Sequence, residues 1–317
     1  GPIAHILGPP VSLVEHMDLL ALADFNLVAR HGGFGRPARA AERPKATLSR
    51  RVSDLEASLG VRLFERGSHT LKLTQEGRAL FERTEAPLTE IGEAATAIAS
   101  GGEVPRGRLR ISAPLLFSQM ALGTLAARFA LRYPEVRLEI TTEDRAVDMV
   151  EEGYDLVIRV NPDPDERLIG RVLLRDRLVA VSHPGLERPE PDVAARAVVR
   201  ASSNQSAWEL TAQGGDVRVS IDPVLRLASL IMIRDAVRTG IGAAVLPLSL
   251  VAGDLRSGAL VHWGDVKGRP IEIWALYPSR RLLSARVSAF LELLKEAFPL
   301  GQPEELTAYL TNEVVTG

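Results

Sequence analysis

The residues of this 317-residue chain that are best suited to chemistry are Lys45, Thr47, Ser49, Arg50 and Arg51, cations and hydroxyls packed into one short run. Side chains of these types contact phosphate oxygens and base edges of a duplex. The same run carries Leu48, Val52, Leu55 and Leu59 at spacings of four, three and four, which is one buried stripe of a helix from Lys45 to Leu59. Pro44 is placed to open that helix, because its missing N–H is not needed there. Upstream, Ala38, Ala40 and Ala41 supply small side chains against which a second helix can cross closely. Two short helices at a steep angle, the second cationic, form a helix-turn-helix, in which early residues of the second helix meet base edges. The competing reading is an ordinary solvated helix face bearing Arg50 and Arg51.

Two further signals favour DNA. Residues 30–66 hold nine Lys/Arg against four Asp/Glu, a local net of +5 in a chain of formal net charge −2. Phosphate binding needs that local excess rather than a basic whole. After the core anchors Leu63 and Phe64, the segment Arg66-Gly67-Ser68-His69-Thr70-Leu71-Lys72-Leu73 alternates around a Gly-Ser turn. It reads as a wing carrying Arg66, His69 and Lys72 to the duplex backbone. Arg36 adds a cation ahead of the recognition helix, and Ala46 joins its contact face.

The run Gly33-Phe34, Ala38, Ala40-Ala41, Pro44-Lys45-Ala46-Thr47-Leu48-Ser49-Arg50-Arg51-Val52, Leu55-Glu56, Leu59-Gly60, Leu63-Phe64-Glu65-Arg66, Leu73-Thr74 and Glu76-Gly77 strongly resembles the winged helix-turn-helix of LysR-type transcriptional regulators. Within them, the Pro-Lys-Ala-Thr-Leu-Ser-Arg-Arg stretch is similar to the branch of CrgA-like regulators. The resemblance spans roughly residues 17–298, with its most specific motifs before Gly77. Pro37 stands where the family usually has Ala, and Ala41-Glu42 where Leu-Gly is common. The resemblance implies an α/β protein with an N-terminal winged helix-turn-helix, a long linker helix for dimerisation, and a two-lobed effector domain like periplasmic binding proteins.

Composition fits a multidomain globular chain, 46% hydrophobic and 25% charged. Its longest apolar runs fall short of the ~20 residues that span a bilayer. With no Cys, disulfides, thiolate metal sites and thiol redox sensing are excluded; a reducing cytoplasm is the expected compartment. Residues 1–16 start Gly-Pro, as protease-cleaved expression tags do, and are read as a tag remnant, with a native extension as the alternative.

Residues 17–74 are therefore assigned to the DNA-binding domain and 75–106 to a linker helix and hinge. From the N-cap Thr74 to about Ser100 one long helix is expected, kinked or divided at Pro87. Its stripe Phe81, Leu88, Ile91, Ala95 and Ile98 approaches a heptad seam, suited to dimerisation. Gly101 to Gly107 is a hinge by composition. Residues 107–298 form the effector domain, with lobe 1 at about 107–179 and 277–298 and lobe 2 at about 180–276. Strands at 108–112, 136–140 and 154–159 alternate with helices at 125–133 and 144–152, the pattern of a parallel sheet. Lobe 2 should contain strands at 197–200, 218–221, 243–246 and 271–276 and a helix over 225–239. Helix 290–298 could return to lobe 1. Residues 299–317 are a tail, either docked or disordered.

Ligands of such sheets sit beyond the C-terminal strand ends. The expected effector site comprises Pro114, Leu115, Leu116 and Phe117, then Thr141, Thr142 and Arg159, and from the other lobe Ser202, Ser203, Asn204 and the turn Asp222-Pro223. Arg159 could clasp a carboxylate, or pair with the acidic loop 163–166. Gly240-Ile241-Gly242 lacks the third glycine of a nucleotide loop, the six His show no metal spacing, and no catalytic set is evident. No cofactor or metal is expected. The expected partners are double-stranded DNA, an unidentified small-molecule effector and a second copy in a homodimer or homotetramer, with no membrane. The rival classes are a small-molecule binding protein without DNA function and an enzyme.

Overall fold

The computed structural model of the chain describes residues 17–35, 38, 43–65, 67, 71–99, 102–145, 147–149, 151–165, 167–278 and 283–311. Two units result: residues up to 102 with 163–171 and 278–283, and residues 103–162, 172–277 and 284 onward.

The first unit is built on α1 (Leu19–His31), α2 (Lys45–Leu59) and α3 (Gln75–Ala99). Asp18 caps α1 by accepting a hydrogen bond from Leu20 N at 2.9 Å. Between α1 and α2, Ala38 N donates to Phe34 O and Arg43 N to Ala38 O, both at 3.1 Å. The remaining expected helix there, with Arg36, Pro37, Ala40 and Ala41, lies outside the described residues. Helix α2 spans the expected range, but Pro44 is its N-cap rather than its first residue. Its stripe is driven inward: Leu48, Val52 and Leu55 are buried, and Val52 and Leu55 pack with Phe25, Val28, Leu63 and Phe64 in one core. The Phe25 and Phe64 rings meet at 5.5 Å between centroids. Phe64 bridges Leu73 in antiparallel fashion, and Glu65 N donates to Lys72 O at 2.9 Å, so the base of a hairpin is present. Arg66 and His69 fall outside the described residues.

Thr74 caps α3, its Oγ1 accepting from Gly77 N at 3.0 Å. Pro87 lies inside α3 without dividing it. One missing N–H is tolerated because the helix is anchored just upstream: Asn26 Nδ2 donates to Thr84 Oγ1 at 2.9 Å, and Arg30 pairs with Glu85 at 3.0 Å. The expected dimerisation stripe splits accordingly. Phe81 and Leu88 pack on the core of their own unit, because the first half of α3 lies against α1 and the hairpin base. Ile91, Ala95 and Ile98 remain exposed, Ile98 by 80%. Glu93, between them in sequence, is buried and pairs with Arg171 at 3.4 Å.

The second unit contains two sheets. One has the order β2-β1-β3-β11-β4, from β1 (Gly107–Ala113), β2 (Val136–Thr142), β3 (Leu156–Val160), β4 (Leu168–Asp176) and β11 (Ile271–Pro278). The other has the order β6-β8-β7-β10-β5-β9, from β5 (Leu178–Ser182), β6 (Ala195–Arg200), β7 (Ala207–Ala212), β8 (Gly215–Leu227), β9 (Ala244–Pro247) and β10 (Val261–Val266). Strand β1 runs parallel to β2 and β3, as the alternation of elements requires, while β11 returns antiparallel to β3. Around them lie α4 (Gly123–Arg132), α5 (Leu230–Val237), α6 (Leu248–Ser257), α7 (Ala285–Ala297) and α8 (Pro303–Leu310). Helix α7 packs on α4 and β1, with Phe290 edge-on to Phe129 at 5.1 Å, so it does return to the first lobe.

Several expectations are corrected. The chain changes sheets at Arg177 and within 267–270, not at about 179–180 and 276–277, since β5 already pairs with β9 and β10 while all of β11 lies in the first sheet. Residues 144–152 hold turns and bends rather than a helix among the described residues; Asp148 Oδ1 takes the N–H of Glu151 locally. Residues 225–227 continue β8, and the helix starts only at Leu230. Asp222-Pro223 is no turn but the middle of β8, where a register shift against Ala197/Val198 leaves room for the proline. The tail is docked as far as Leu310, for Leu306 and Thr307 of α8 are each 2% exposed; residues 312–317 lie outside the described residues.

Candidate nucleic-acid surface and ligand cleft

On α2 the stripe that buries Leu48, Val52 and Leu55 turns Lys45, Ala46, Ser49 and Arg50 fully outward, with Thr47 half-buried beside them. The first turn contains no acidic side chain and the N-cap offers none. The N-terminal end of the helix therefore presents positive charge and helix-end N–H groups to an incoming phosphate.

Arg51 does something else. Its guanidinium lies 3.2 Å from Asp24, whose other carboxylate oxygen is 2.5 Å from Arg43, and Asp24 is wholly buried on α1. Two cations around one buried carboxylate tie the start of α2 to α1 and fix the pitch at which Lys45 and Arg50 project. A buried carboxylate is tolerated only when paired in this way. Asp24 was missed from sequence, although a lone acid among Ala21, Leu22, Phe25 and Val28 on a helical stripe is a visible anomaly. Glu56 also acts as a positioning residue, for its Oε1 accepts from Leu63 N at 2.7 Å and fastens the entry to the hairpin. Lys72 is exposed on the return strand. Arg36, Arg66 and His69 lie outside the described residues.

In the second unit the two sheets flank a cavity of about 550 Å³. Pro114, Leu115, Leu116 and Phe117, the loop and first turn after β1, line one side, and Ser202 and Ser203 line the other. Thr141, Thr142, Arg159, Asn204, Asp222 and Pro223 do not line it. Thr141 and Thr142 are on β2, the edge strand, remote in the sheet from β11 and β4. Arg159 is turned into its own sheet, where it donates to Ser112 Oγ at 2.8 Å and Ile158 O at 2.6 Å; burial lowers its pKa. It neither faces the cleft nor pairs with the acidic loop, where Asp165 is taken by Arg167. Asp222 and Pro223 are held by pairing with Arg196 and Ala197.

Residues that sequence did not single out complete the walls. Trp208 and Val245 of the second sheet and Leu230 at the start of α5 enlarge the apolar surface. Asp144 accepts from Leu115 N at 3.0 Å and faces Arg200 of the opposite lobe at 3.7 Å, both charges being roughly half exposed. Asn161, in the left-handed region at φ 43°, lines the cleft beside the first sheet and is paired through backbone and side chain with Glu272. Asp176 is buried, receiving Arg177 N at 2.8 Å and Ser249 Oγ at 2.5 Å; desolvation pushes its carboxyl pKa up. The result is an apolar body with polar groups at a few points, the usual make-up of a small-molecule site. Among the described residues no group of His, Asp and Glu could hold a metal ion, and no helix is long and apolar enough to cross a membrane.

Residues 19–78 match the family described as bacterial regulatory helix-turn-helix protein, lysR family, and residues 102–299 match the LysR substrate binding domain. The chain is 31% identical over 295 residues to the HTH-type transcriptional regulator PtxR of Pseudomonas aeruginosa, covering 89% of this chain and 94% of that protein. It is 28% identical over 288 residues to the regulator CrgA of Neisseria meningitidis, covering 87% and 95%. The solved structure of CrgA superposes with a TM-score of 0.64 at 25% identity, covering 88% of this chain and 99% of that one.

Proposed function

Because this chain belongs to the LysR family of DNA-binding transcriptional regulators, we propose that Lys45, Ala46, Thr47, Ser49 and Arg50 of α2 read its operator, while Arg51 acts through Asp24 to hold that helix in place. The observation that carries this reading is the division of labour between adjacent arginines: Arg50 is exposed on the outer face and Arg51 is paired inward with a wholly buried carboxylate. Thr47, Ser49 and Ala46 suit base edges and thymine methyl groups, Arg50 suits the O6 and N7 of a guanine, and Lys45 and Lys72 suit phosphates. On the sequence pattern alone, Arg36, Arg66 and His69 are further candidates for contacts to the duplex backbone. A homodimer or homotetramer would place two such helices on half-sites about one helical turn apart, with Ile91, Ala95 and Ile98 as the apolar positions of α3 open to a partner copy. The proposed place of action is the cytoplasm.

The cleft between the two lobes of the second unit would take the effector, an uncharged or singly charged small molecule with an apolar body laid against Leu115, Leu116 and Leu230. The ligand shifts the regulator only if it binds one lobe arrangement better than another, and the Asp144–Arg200 pair across the mouth belongs to one such arrangement. The proposed activity is binding and switching, without chemical turnover. The test is selection of genomic fragments by the purified protein followed by sequencing. A recurring interrupted inverted repeat, lost with Arg50→Ala, supports the reading; uniform, salt-sensitive recovery without a motif overturns the assignment of α2 as a sequence reader.

A further inference from the structure

The segment beyond residue 299, where the match to the substrate-binding family ends, is folded into the wall of the cleft. Helix α8 places three nearly consecutive residues against three different parts of the second unit. Leu306 is 2% exposed and lines the cavity. Thr307 Oγ1 donates to Ser249 O at 2.8 Å, with Pro303 O of its own helix at 3.1 Å as the alternative acceptor. Tyr309 packs its ring on Phe298 at 5.7 Å, with Arg128 of α4 over its face at 6.0 Å.

Both neighbours lead back to the cleft, from opposite lobes. Ser249 is the second residue of α6, which follows β9 of the second sheet, and its hydroxyl donates to Asp176 at the end of β4 in the first sheet. Asp176 and Ser249 both line the cavity, and Asp176 is one residue from the point where the chain changes sheets. On the other side Phe298 packs tilted against Phe117 at 5.7 Å between ring centroids, and Phe117 also lines the cavity. The connector is fastened as well. Gly301 O accepts from Arg175 N at 2.9 Å, and Gly301 sits at φ +63° with no room for a side chain, its Cβ position being 3.1 Å from Leu173 O.

The geometry points to α8 as a working part of the effector site: Leu306 is a contact for the ligand's apolar body, and Thr307, through Ser249, is a positioning residue for Asp176. A polar chain, Asp176–Ser249–Thr307, which passes through the second lobe at Ser249, and an aromatic chain, Phe117–Phe298–Tyr309, which stays with the first, meet on this one helix. A change in lobe angle must therefore either carry α8 with it or break one chain. This rests on the reading of the cleft as the ligand site.

The experiment is titration of the full chain with N-phenyl-1-naphthylamine, a neutral fluorescent probe suited to an apolar cleft, alongside thermal unfolding. Leu230→Trp, which fills the cleft from the second lobe, tells whether the probe sits there. Thr307→Val, which keeps the shape but deletes the hydroxyl, should weaken probe binding about fivefold, the size of one net hydrogen bond. Thr307→Ser should retain it, and Leu306→Ala should weaken it further. Full affinity in both Thr307→Val and Leu306→Ala overturns the proposal even if their Tm falls, since α8 would then be only a structural buttress. Affinity undiminished in Leu230→Trp overturns the reading of the cleft itself, and with it the role given to α8.

Discussion

The recognition surface and the ligand cleft differ in how they are assembled. The first is one face of one helix, with Lys45 to Arg50 contiguous in sequence and oriented by a stripe that must be buried. The second draws on residues from Pro114 to Leu306, brought together by strand ends, by a helix start and by a tail helix. A surface of the first kind is disabled by removing a side chain or by tilting its helix; one of the second kind is altered through contacts that never touch the ligand.

The strongest way to break that contrast is Asp24→Ala. It leaves the start of α2 without its buried anchor and strands Arg43 and Arg51, so the first unit should lose about 3–5 kcal/mol, the usual cost of removing one partner of a buried ion pair. Urea denaturation followed by far-UV circular dichroism measures it, and a loss under ~1 kcal/mol would mean the pair is solvated and that α2 is oriented by apolar packing alone.

Next is Gly77→Ala. In an exposed helix this change stabilises, yet here a Cβ would fall 2.1 Å from the Leu63 carbonyl oxygen. That carbonyl is itself fixed by accepting Thr74 N at 3.0 Å, so the substitution should destabilise by about 1–3 kcal/mol. Thermal unfolding decides; a raised Tm would show that the hairpin base yields freely.

Arg50→Ala sharpens the contrast within a single helix. It should weaken operator binding by about 1–3 kcal/mol and leave Tm unchanged, whereas Arg51→Ala should lower Tm before it lowers affinity. Gel shifts at fixed salt, paired with melting curves, separate the two, and identical behaviour would erase the distinction drawn between the neighbours.

The smallest effect belongs to the cleft. Burial raises the Asp176 pKa above its ordinary value of 3.8. Folding therefore favours the protonated carboxyl, and its contribution to stability is greatest below that value and declines as pH rises toward the raised one. Asp176→Asn should flatten the pH dependence of Tm across that window; an unchanged slope would assign the slope to other groups.

The two sites were unequally legible for the same reason. The apolar stripe of α2 and the run Pro114 to Phe117 could be read because each depends on local periodicity or on a single strand end. Arg159 was misassigned because it stands near the end of β3 while its partner Ser112 belongs to β1, and a hydrogen bond between strands leaves no local pattern. Asp222-Pro223 looked like a turn because Pro usually interrupts a strand, while the bulge that admits it belongs to the pairing of β8 with β6.

By itself the sequence determined the class, the order of the domains, the register of α2 and the cationic face it turns outward, since helical periodicity and local charge are properties of neighbouring residues. Tertiary structure alone decided that Arg51 turns inward to Asp24, that Phe81 and Leu88 serve their own core, and that Asp176, Ser249 and Leu306 share a cavity. Those outcomes depend on which distant groups compete for a side chain once water is excluded, and that competition is settled only when the elements pack.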